Sequence, residues 1–394
     1  MNKLLNTLNN ILSNLRIILI QNIIIYKNKL LIIYFFIFFK KKKIKIKSLF
    51  AFKLDYKNQE GASGWLNFIL TNINKYSIYK FKNLEDINIL KYSDYIIEKL
   101  IIFFPQSLGF EVSAKLINCS KKIIFFVNDN ITFCKKSYNV AFKKECFNCL
   151  PNFNPYMECK HFPYPNSDAN YVKFLNSLKK KSKSILFICA SSNHIKITNS
   201  IFPNSKVLRI NHNSSHFENI KVKKNNNYKN DFLFHANTLE AKGYFYFLEL
   251  AKNNPNKIFF VPNSDSIGDT YYKNIIFEKK TWNNGLQEKI YETKIILCPS
   301  FWSANFEGSV LKTMLMGKCC AVIRNKMSFS DEVPNNSIIK LTGNIKYDSK
   351  YLEEKLNNKQ VLEKIGKNAR SWALNYLKNN YKKKIKLIDA FLKD

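Results

Sequence analysis

The chain has 394 residues, 46% of them hydrophobic, with a formal net charge of +34. The length suits two domains of ordinary size, and the apolar content suits packed cores. The charge has the size of a nucleic-acid footprint, but only four arginines occur: Arg16, Arg209, Arg324 and Arg370. A dedicated nucleic-acid binder uses arginine for phosphate and base contacts. The remaining basic residues are lysines amid many Asn, Ile, Phe and Tyr, a bias toward A/T-rich codons. Nucleic acid is therefore excluded as a partner, while nucleotide phosphates and anionic lipid stay open. Nine scattered cysteines, two of them side by side at Cys319 and Cys320, point to a reducing, cytoplasmic setting rather than a disulfide framework.

Residues 1–43 read as an apolar and basic extension. Ile17–Ile20, Ile23–Tyr26 and Leu30–Phe39 are apolar, Lys27-Asn28-Lys29 interrupts them, and Lys40–Lys43 follows. A single spanning helix would put Lys27 and Lys29 near mid-bilayer, at roughly 2.5–3.5 kcal/mol each. Leu30–Phe39 alone is too short to span. The pattern fits an interfacial anchor with a polybasic edge, peripheral on the inner face of the cell membrane. It fits equally a helix and strand packed within the fold. The apolar run passes into lysines without a small-residue cleavage site, so no cleavable signal is expected.

Lys45–Phe52 is the expected leading strand of a first domain, residues 44–216. Glu60–Trp65 then supplies a glycine turn through Gly64 into a helix, Trp65–Ile73. A strand within Tyr95–Phe104, a helix at Leu108–Ile117, and strands at Lys122–Val127, Ser184–Ala190 and Lys206–Ile210 follow. Such alternation indicates a parallel α/β sheet. Between strands lies an excursion, residues 129–165, with Cys134, Cys146, Cys149 and Cys159. A Cys-x-x-Cys pair with two outlying cysteines can close a tetrahedral structural zinc site, with His161 as an alternative ligand. Reduced cysteines packed under a loop are the other reading.

Residues 217–230 fall in a polar stretch and read as a linker, 231–375 as a second domain, and 376–394 as a final helix. In the second domain, strands are expected at Asp231–His235, Lys257–Val261, Ile275–Phe277 and Lys294–Cys298. Trp282 lies in a loop before a helix at Leu286–Glu292. Pro299-Ser300 breaks the last of these strands, and Phe301–Phe306 forms a loop. A helix opens near Glu307–Gly308, with Val310, Leu311, Met314 and Leu315 on one buried face. Gly317 stands where a left-handed cap would end it, and Cys319–Ile323 begins another buried strand. A loop rising from a strand end into a helix N-terminus turns free amides and the helix dipole toward a ligand, so it suits an anion.

This stretch, Pro299 to Ile323, resembles the donor-site signature of the group-1 (GT4-like) glycosyltransferases of the GT-B fold. Pro299, Ser300, the Val310-Leu311 pair, Met314 and Gly317 match. The two signature glutamates are replaced by Ala304 and Lys312, and Glu307 stands where the family has a small residue. Ala236–Gly243 is similar to the family's phosphate-gripping segment: Lys242-Gly243 match, while Asn237 replaces the arginine. Val127-Asn128-Asp129 resembles the family's strand followed by His-Asp, with Asn128 in place of the histidine that contacts the donor sugar. Asn can bond a hydroxyl but cannot serve as a base. Glu332 corresponds to a family glutamate, Trp282 is placed to cover the nucleotide base, and the last helix is expected to cross back onto the first domain.

The resemblance implies an α/β GT-B fold, two Rossmann-like parallel-sheet domains facing a cleft. It implies sugar transfer from a nucleotide-sugar donor to a surface-glycan or lipid-linked acceptor, retaining, with no metal needed for transfer. Asn128, Asp129 and Glu307 are the catalytic candidates. The donor-binding candidates are Gly64, Lys242, Gly243, Trp282, Glu307, Lys312 and the helix start Gly308-Ser309-Val310. The replacements at 128, 237, 304 and 312 also fit a non-catalytic GT-B binding or scaffold protein. A GT-B sugar-nucleotide epimerase is a further alternative.

Overall fold

The computed structural model describes residues 44–52, 61–76, 82–84, 95–154, 168–213, 217, 220, 222, 227–262, 273–378 and 381–393. The expected N-terminal extension, Cys159 and His161 lie outside these residues. The first domain is a six-stranded sheet built from β1 (Ile44–Ala51), β2 (Lys82–Leu84), β3 (Tyr95–Phe103), β4 (Ser120–Val127), β7 (Ile185–Cys189) and β8 (Lys206–Arg209), in the order β2-β1-β3-β4-β7-β8. All its pairings are parallel. Two short strands, β5 (Val140–Ala141) and β6 (Lys144–Glu145), form a separate antiparallel hairpin in the excursion.

The apolar runs are continuous because a parallel sheet is covered on both faces. In β4, Ile123, Phe125 and Val127 enter one core, and Ile124 and Phe126 enter the other. The first of these cores is closed by α3 (Phe110–Asn118) and α4 (Asp168–Lys181), which follow α1 (Gly61–Tyr76) and the single-turn α2 (Pro105–Leu108). The second is closed by α1 and by the final helix of the chain, through Ile385, Ile388, Phe391 and Leu392. The expected glycine turn is a helix instead: α1 opens at Gly61, and Gly64 lies inside it. Trp65, Leu66, Ile69, Leu70 and Ile73 all face the sheet. Burying that stripe outweighs the roughly 1 kcal/mol that each helical glycine costs. After β7, α5 (Ser192–Ile201) is capped by the Ser191 side chain, which accepts from the His194 amide at 3.2 Å.

The second domain repeats the plan with β9 (Asn230–Phe234), β10 (Phe259–Val261), β11 (Ile275–Phe277), β12 (Thr293–Cys298), β13 (Cys319–Ile323) and β14 (Ile339–Leu341). Their order is β11-β10-β9-β12-β13-β14, again all parallel. In chain order, α6 (Tyr244–Lys252), α7 (Leu286–Tyr291), α8 (Gly308–Leu315), α9 (Ile345–Leu356), α10 (Lys359–Leu377) and α11 (Tyr381–Lys393) complete the fold. The polar linker is less detached than its composition suggests: Phe217 and Ile220 are buried in the second domain's core.

Gly317 ends α8 with φ 71°, and Lys318 donates back to Thr313 O at 3.2 Å, as a left-handed cap requires. That turn fits under α10 only because Gly366 has no side chain; a Cβ there would overlap the Gly317 carbonyl. Alanine normally improves a helix by about 1 kcal/mol over glycine. Gly366→Ala should instead destabilise the protein, by about 1–3 kcal/mol of overpacking. Urea unfolding checks this, and a gain in stability would contradict the contact.

Candidate functional site

The C-terminal ends of strands from both sheets face one cleft of ≈ 580 Å³. Phe104 follows β3, Asn128 and Asp129 follow β4, His235 to Asn237 follow β9, Pro262 follows β10, and Trp302 with Asn305 to Ser309 follow β12; all line it. This is where parallel α/β sheets hold ligands.

On the second-domain side, Glu307 occupies the N-cap of α8 without capping it. The first intrahelical bond is Leu311 N–H to Glu307 O at 3.1 Å, so the amides of Gly308, Ser309 and Val310 have no helical acceptor. The Glu307 carboxylate turns instead to Lys242, whose Nζ donates to Oε2 at 3.0 Å and Oε1 at 3.2 Å. The two side chains are only 13% and 11% exposed. Lys242 also lies 4.1 Å from the centre of the Trp302 ring. Gly243 sets the turn that aims Lys242, with φ 78° and its own amide donating to Glu240 O at 2.9 Å. Gly243 does not line the cleft: it packs against the Pro299 carbonyl, where a Cβ would collide. Gly64 does not line it either; its neighbour Trp65 does. The Val310 side chain points into the core, so only its amide is at the helix end.

Lys312 sits 4.4 Å from the centre of the Trp282 ring, and that ring lies parallel to His235 at 6.2 Å. His235 shares a hydrogen bond with Thr313 Oγ1 at 3.0 Å. Burial, aided by Lys312, pushes His235 down to about 3, so it is neutral at ordinary pH.

On the first-domain side, Asp129 uses both carboxylate oxygens, accepting from Ile131 N at 3.0 Å and Gln106 Nε2 at 2.5 Å. Burial pushes its pKa up to about 7, against those two bonds. The Gln106 carboxamide oxygen has no partner. Rotation of that amide would let a protonated Asp129 donate to it, which fits the upward shift. Asp129 thus anchors the excursion as much as it faces the cleft. In the same excursion Cys134 and Cys149 are buried in the first core, and the Cys149 thiol sits 3.4 Å from Asn154 N. Among the described residues no three His, Cys, Asp or Glu side chains converge on a metal-sized site.

The sequence reading missed the seam that joins the two walls. The Asn305 side chain donates to Val127 O at the end of β4, and accepts from Ala190 N and Ser191 Oγ, both at 3.2 Å, at the end of β7. Ser303 bonds Asn130 and Asn139, and its hydroxyl donates to Glu145. Glu332 pairs with Arg209 at 2.6 Å and accepts from Ser192 N at 2.5 Å. The His212 ring stacks on Phe306 at 3.6 Å. Nothing local marks Asn305, Ser303 or His212, because each partner is more than a hundred positions away or in the other domain; Glu332 is marked in the sequence only by its correspondence to a family glutamate, not as part of this seam.

No family model and no curated protein matches the sequence. Solved structures do. The chain is similar to a sucrose-phosphate synthase from Thermosynechococcus elongatus, with 8% identity, TM-score 0.56, and 88% of this chain and 98% of that one covered. It is similar to Anabaena HepE, with 11% identity, TM-score 0.55 and coverage of 88% and 98%. It is similar to TarM of S. aureus, with 14% identity and TM-score 0.51; 75% of this chain is covered, but it spans only 55% of TarM. The chain has the GT-B fold. In GT-B terms the second domain carries the helix amides and Lys242, and the first carries Trp65, Asn128 and Asp129.

A carboxyl with a raised pKa favours the folded state most when protonated. The Asp129 contribution is therefore complete below about pH 4 and is lost as pH rises through about 7. Asp129→Asn should flatten the fall in melting temperature between those values relative to the parent protein. Parallel curves for the two proteins would show that Asp129 ionises normally.

Proposed function

We propose that the protein is a glycosyltransferase that takes a sugar from a nucleotide-sugar donor and passes it to a hydroxyl of a glycan or lipid-linked acceptor. The observation that carries this reading is the second-domain wall: three free amides at the start of α8 and the Lys242 cation, brought together at the ends of parallel strands. That wall suits the diphosphate of the donor. HepE has been solved with UDP and glucose, and TarM with UDP, fondaparinux and alpha-GlcNAc-glycerol, which supports a donor of this class and a glycan-type acceptor.

In this reading the bond broken joins the anomeric carbon to the diphosphate oxygen, the bond formed joins that carbon to the acceptor oxygen, and the acceptor's proton passes to the departing diphosphate. Negative charge grows on that oxygen as the bond lengthens, and fixed amide dipoles with Lys242 stabilise it without a metal. Closure of the two walls keeps water from the donor. Retention of anomeric configuration agrees with the resemblance, and Asn128 would hold a hydroxyl rather than move a proton. Lys312, beside Trp282, replaces a carboxylate that would accept from a ribose diol, and would instead bond a phosphate or ring oxygen. Residues 1–43 would hold the enzyme to an anionic membrane surface; no helix among the described residues is long and apolar enough to cross one.

A second reading, a binding protein that does not turn over, is favoured by one feature. Lys242 is already neutralised by Glu307. An incoming diphosphate must draw Lys242 away from that carboxylate and tolerate its charge. Transfer or slow hydrolysis of UDP-sugars separates the two readings, since a binding protein would show neither.

Two substitutions test the phosphate assignment. Lys242→Met should weaken UDP by about 1.5–3 kcal/mol, the size of a hydrogen bond to a charged group. Glu307→Gln should tighten UDP, because it removes both the competitor for Lys242 and a like charge. Titration calorimetry reads both, and an affinity that neither change moves would refute the assignment.

A further inference from the structure

The hairpin of the excursion ends in a strained and exposed turn. β5 and β6 pair Val140 with Glu145 and Ala141 with Lys144, so Phe142 and Lys143 form a two-residue loop. Both have positive φ, 52° and 58°, the sign that a type I′ turn requires at its two central positions. Such turns favour Asn-Gly, because a bulky side chain is strained there. Here the first position holds an aromatic ring, and Phe142 is 91% exposed. Backbone strain of this kind persists only where the surrounding structure imposes it, and it clusters at functional segments. Among the described residues of the excursion, no other large apolar side chain is exposed.

The base of the hairpin is fixed. Asn139, just before β5, donates to Ser303 Oγ at 3.2 Å, and Glu145 accepts from the Ser303 hydroxyl and from Lys326 N, the latter at 2.7 Å. These bonds hold β6 against the second domain and put Lys326 next to it. Lys143, Lys144 and Lys326 are all exposed. The carboxylates of the neighbourhood are engaged within the protein, Glu145 as above and Asp331 by Asn193 Nδ2 at 3.0 Å. The tip is thus a projecting aromatic ring in a cationic surround.

That shape narrows the partner. A stable protein interface takes about 800 Å² from each side, whereas one aromatic ring supplies about 150–250 Å². A lipid surface asks for less: an apolar group that protrudes, with cations behind it to meet anionic headgroups. We propose that the β5–β6 tip is a contact for an anionic lipid surface, with Phe142 entering the boundary between headgroups and acyl chains and Lys143, Lys144 and Lys326 meeting the headgroup charge. This contact is separate from residues 1–43. Tyr138, whose ring meets Trp302 edge-on at 4.9 Å, lines the cleft. Phe142 follows it by four residues, so their Cα atoms lie within about 14 Å of each other. The lipid surface is therefore brought close to the cleft, and the acceptor is the lipid-linked one rather than a free glycan. The choice of acceptor rests on the function proposed above; the lipid contact does not.

The test uses the full chain and vesicles of phosphatidylcholine with and without phosphatidylglycerol. Phe142→Asn suits the turn better than the parent residue, so it should fold at least as well, yet it should lower the partition onto anionic vesicles by about tenfold. Lys143→Gln and Lys144→Gln should each lower it by about fivefold, the worth of one basic residue near such a surface, and less in high salt. In Phe142→Trp, bromine-labelled acyl chains should quench fluorescence beyond the quenching of the parent's own tryptophans. That signal reads the tip itself, whatever else holds the chain to the vesicle. The proposal is overturned if the parent ignores anionic vesicles, if Phe142→Asn partitions as the parent does, or if Trp at 142 is not quenched while the chain is bound. Self-association of the parent that Phe142→Asn abolishes, without vesicle binding, would assign the tip to a second copy and overturn it too. UDP binding measured without vesicles should be the same for parent and Phe142→Asn; its absence from both would sink the donor reading and leave the lipid contact standing.

Discussion

One loop, between Pro299 and Glu307, meets the constraint on which both halves of the molecule depend. A parallel sheet leaves peptide groups unpaired where its strands end, and those groups must find partners if they are shielded from water. In the first domain the ends of β4 and β7 are satisfied by the Asn305 side chain of the second. Two residues further on, the same loop becomes the N-cap of α8 and presents its amides to the cleft. The seam and the anion site are therefore one segment of chain, and a shift of one domain against the other moves the helix start directly.

The electrostatics of that segment are self-contained. A helix N-terminus favours a negative charge, and the chain supplies its own at Glu307, which spends it on Lys242 rather than on the helix. Pairing keeps a poorly solvated lysine from standing alone, a state that costs several kcal/mol. It also means that the cation seen by a ligand depends on where Glu307 points. Lys312 and Trp282 form a second cation–aromatic pair in the same cleft, next to a histidine that burial keeps neutral. The positive groups are thus arranged on the second-domain wall and the neutral donors and acceptors largely on the first, a division suited to a ligand charged at one end and hydroxylated at the other.

The parallel strands and α8 were legible in the sequence because burial on both faces leaves uninterrupted apolar runs such as those of β4 and β13, and because a glycine ends α8. Lys242, Glu307, Gly308, Ser309, Lys312, Trp282, Asn128 and Asp129 do meet in one cleft; all but Lys312, which lies in the last turn of α8, sit in a loop after a strand or at a helix start, positions that local pattern marks. Gly64 and Gly243 were misplaced for a shared reason: a glycine signals a tight backbone but not what it is tight against. One is carried through a helix by its apolar neighbours, and the other packs on Pro299. Asn305 and Ser303 were invisible because their roles arise only when the two domains meet, in a chain where asparagine is abundant everywhere.

The account stands on a diphosphate being held between the first turn of α8 and Lys242. A structure of the full chain with UDP bound tests that most directly. The account requires phosphate oxygens within hydrogen-bond distance of the Gly308 and Ser309 amides, with Lys242 turned from Glu307 toward them. UDP lodged elsewhere, or in the cleft with the Lys242–Glu307 pair intact and the amides unused, would contradict it.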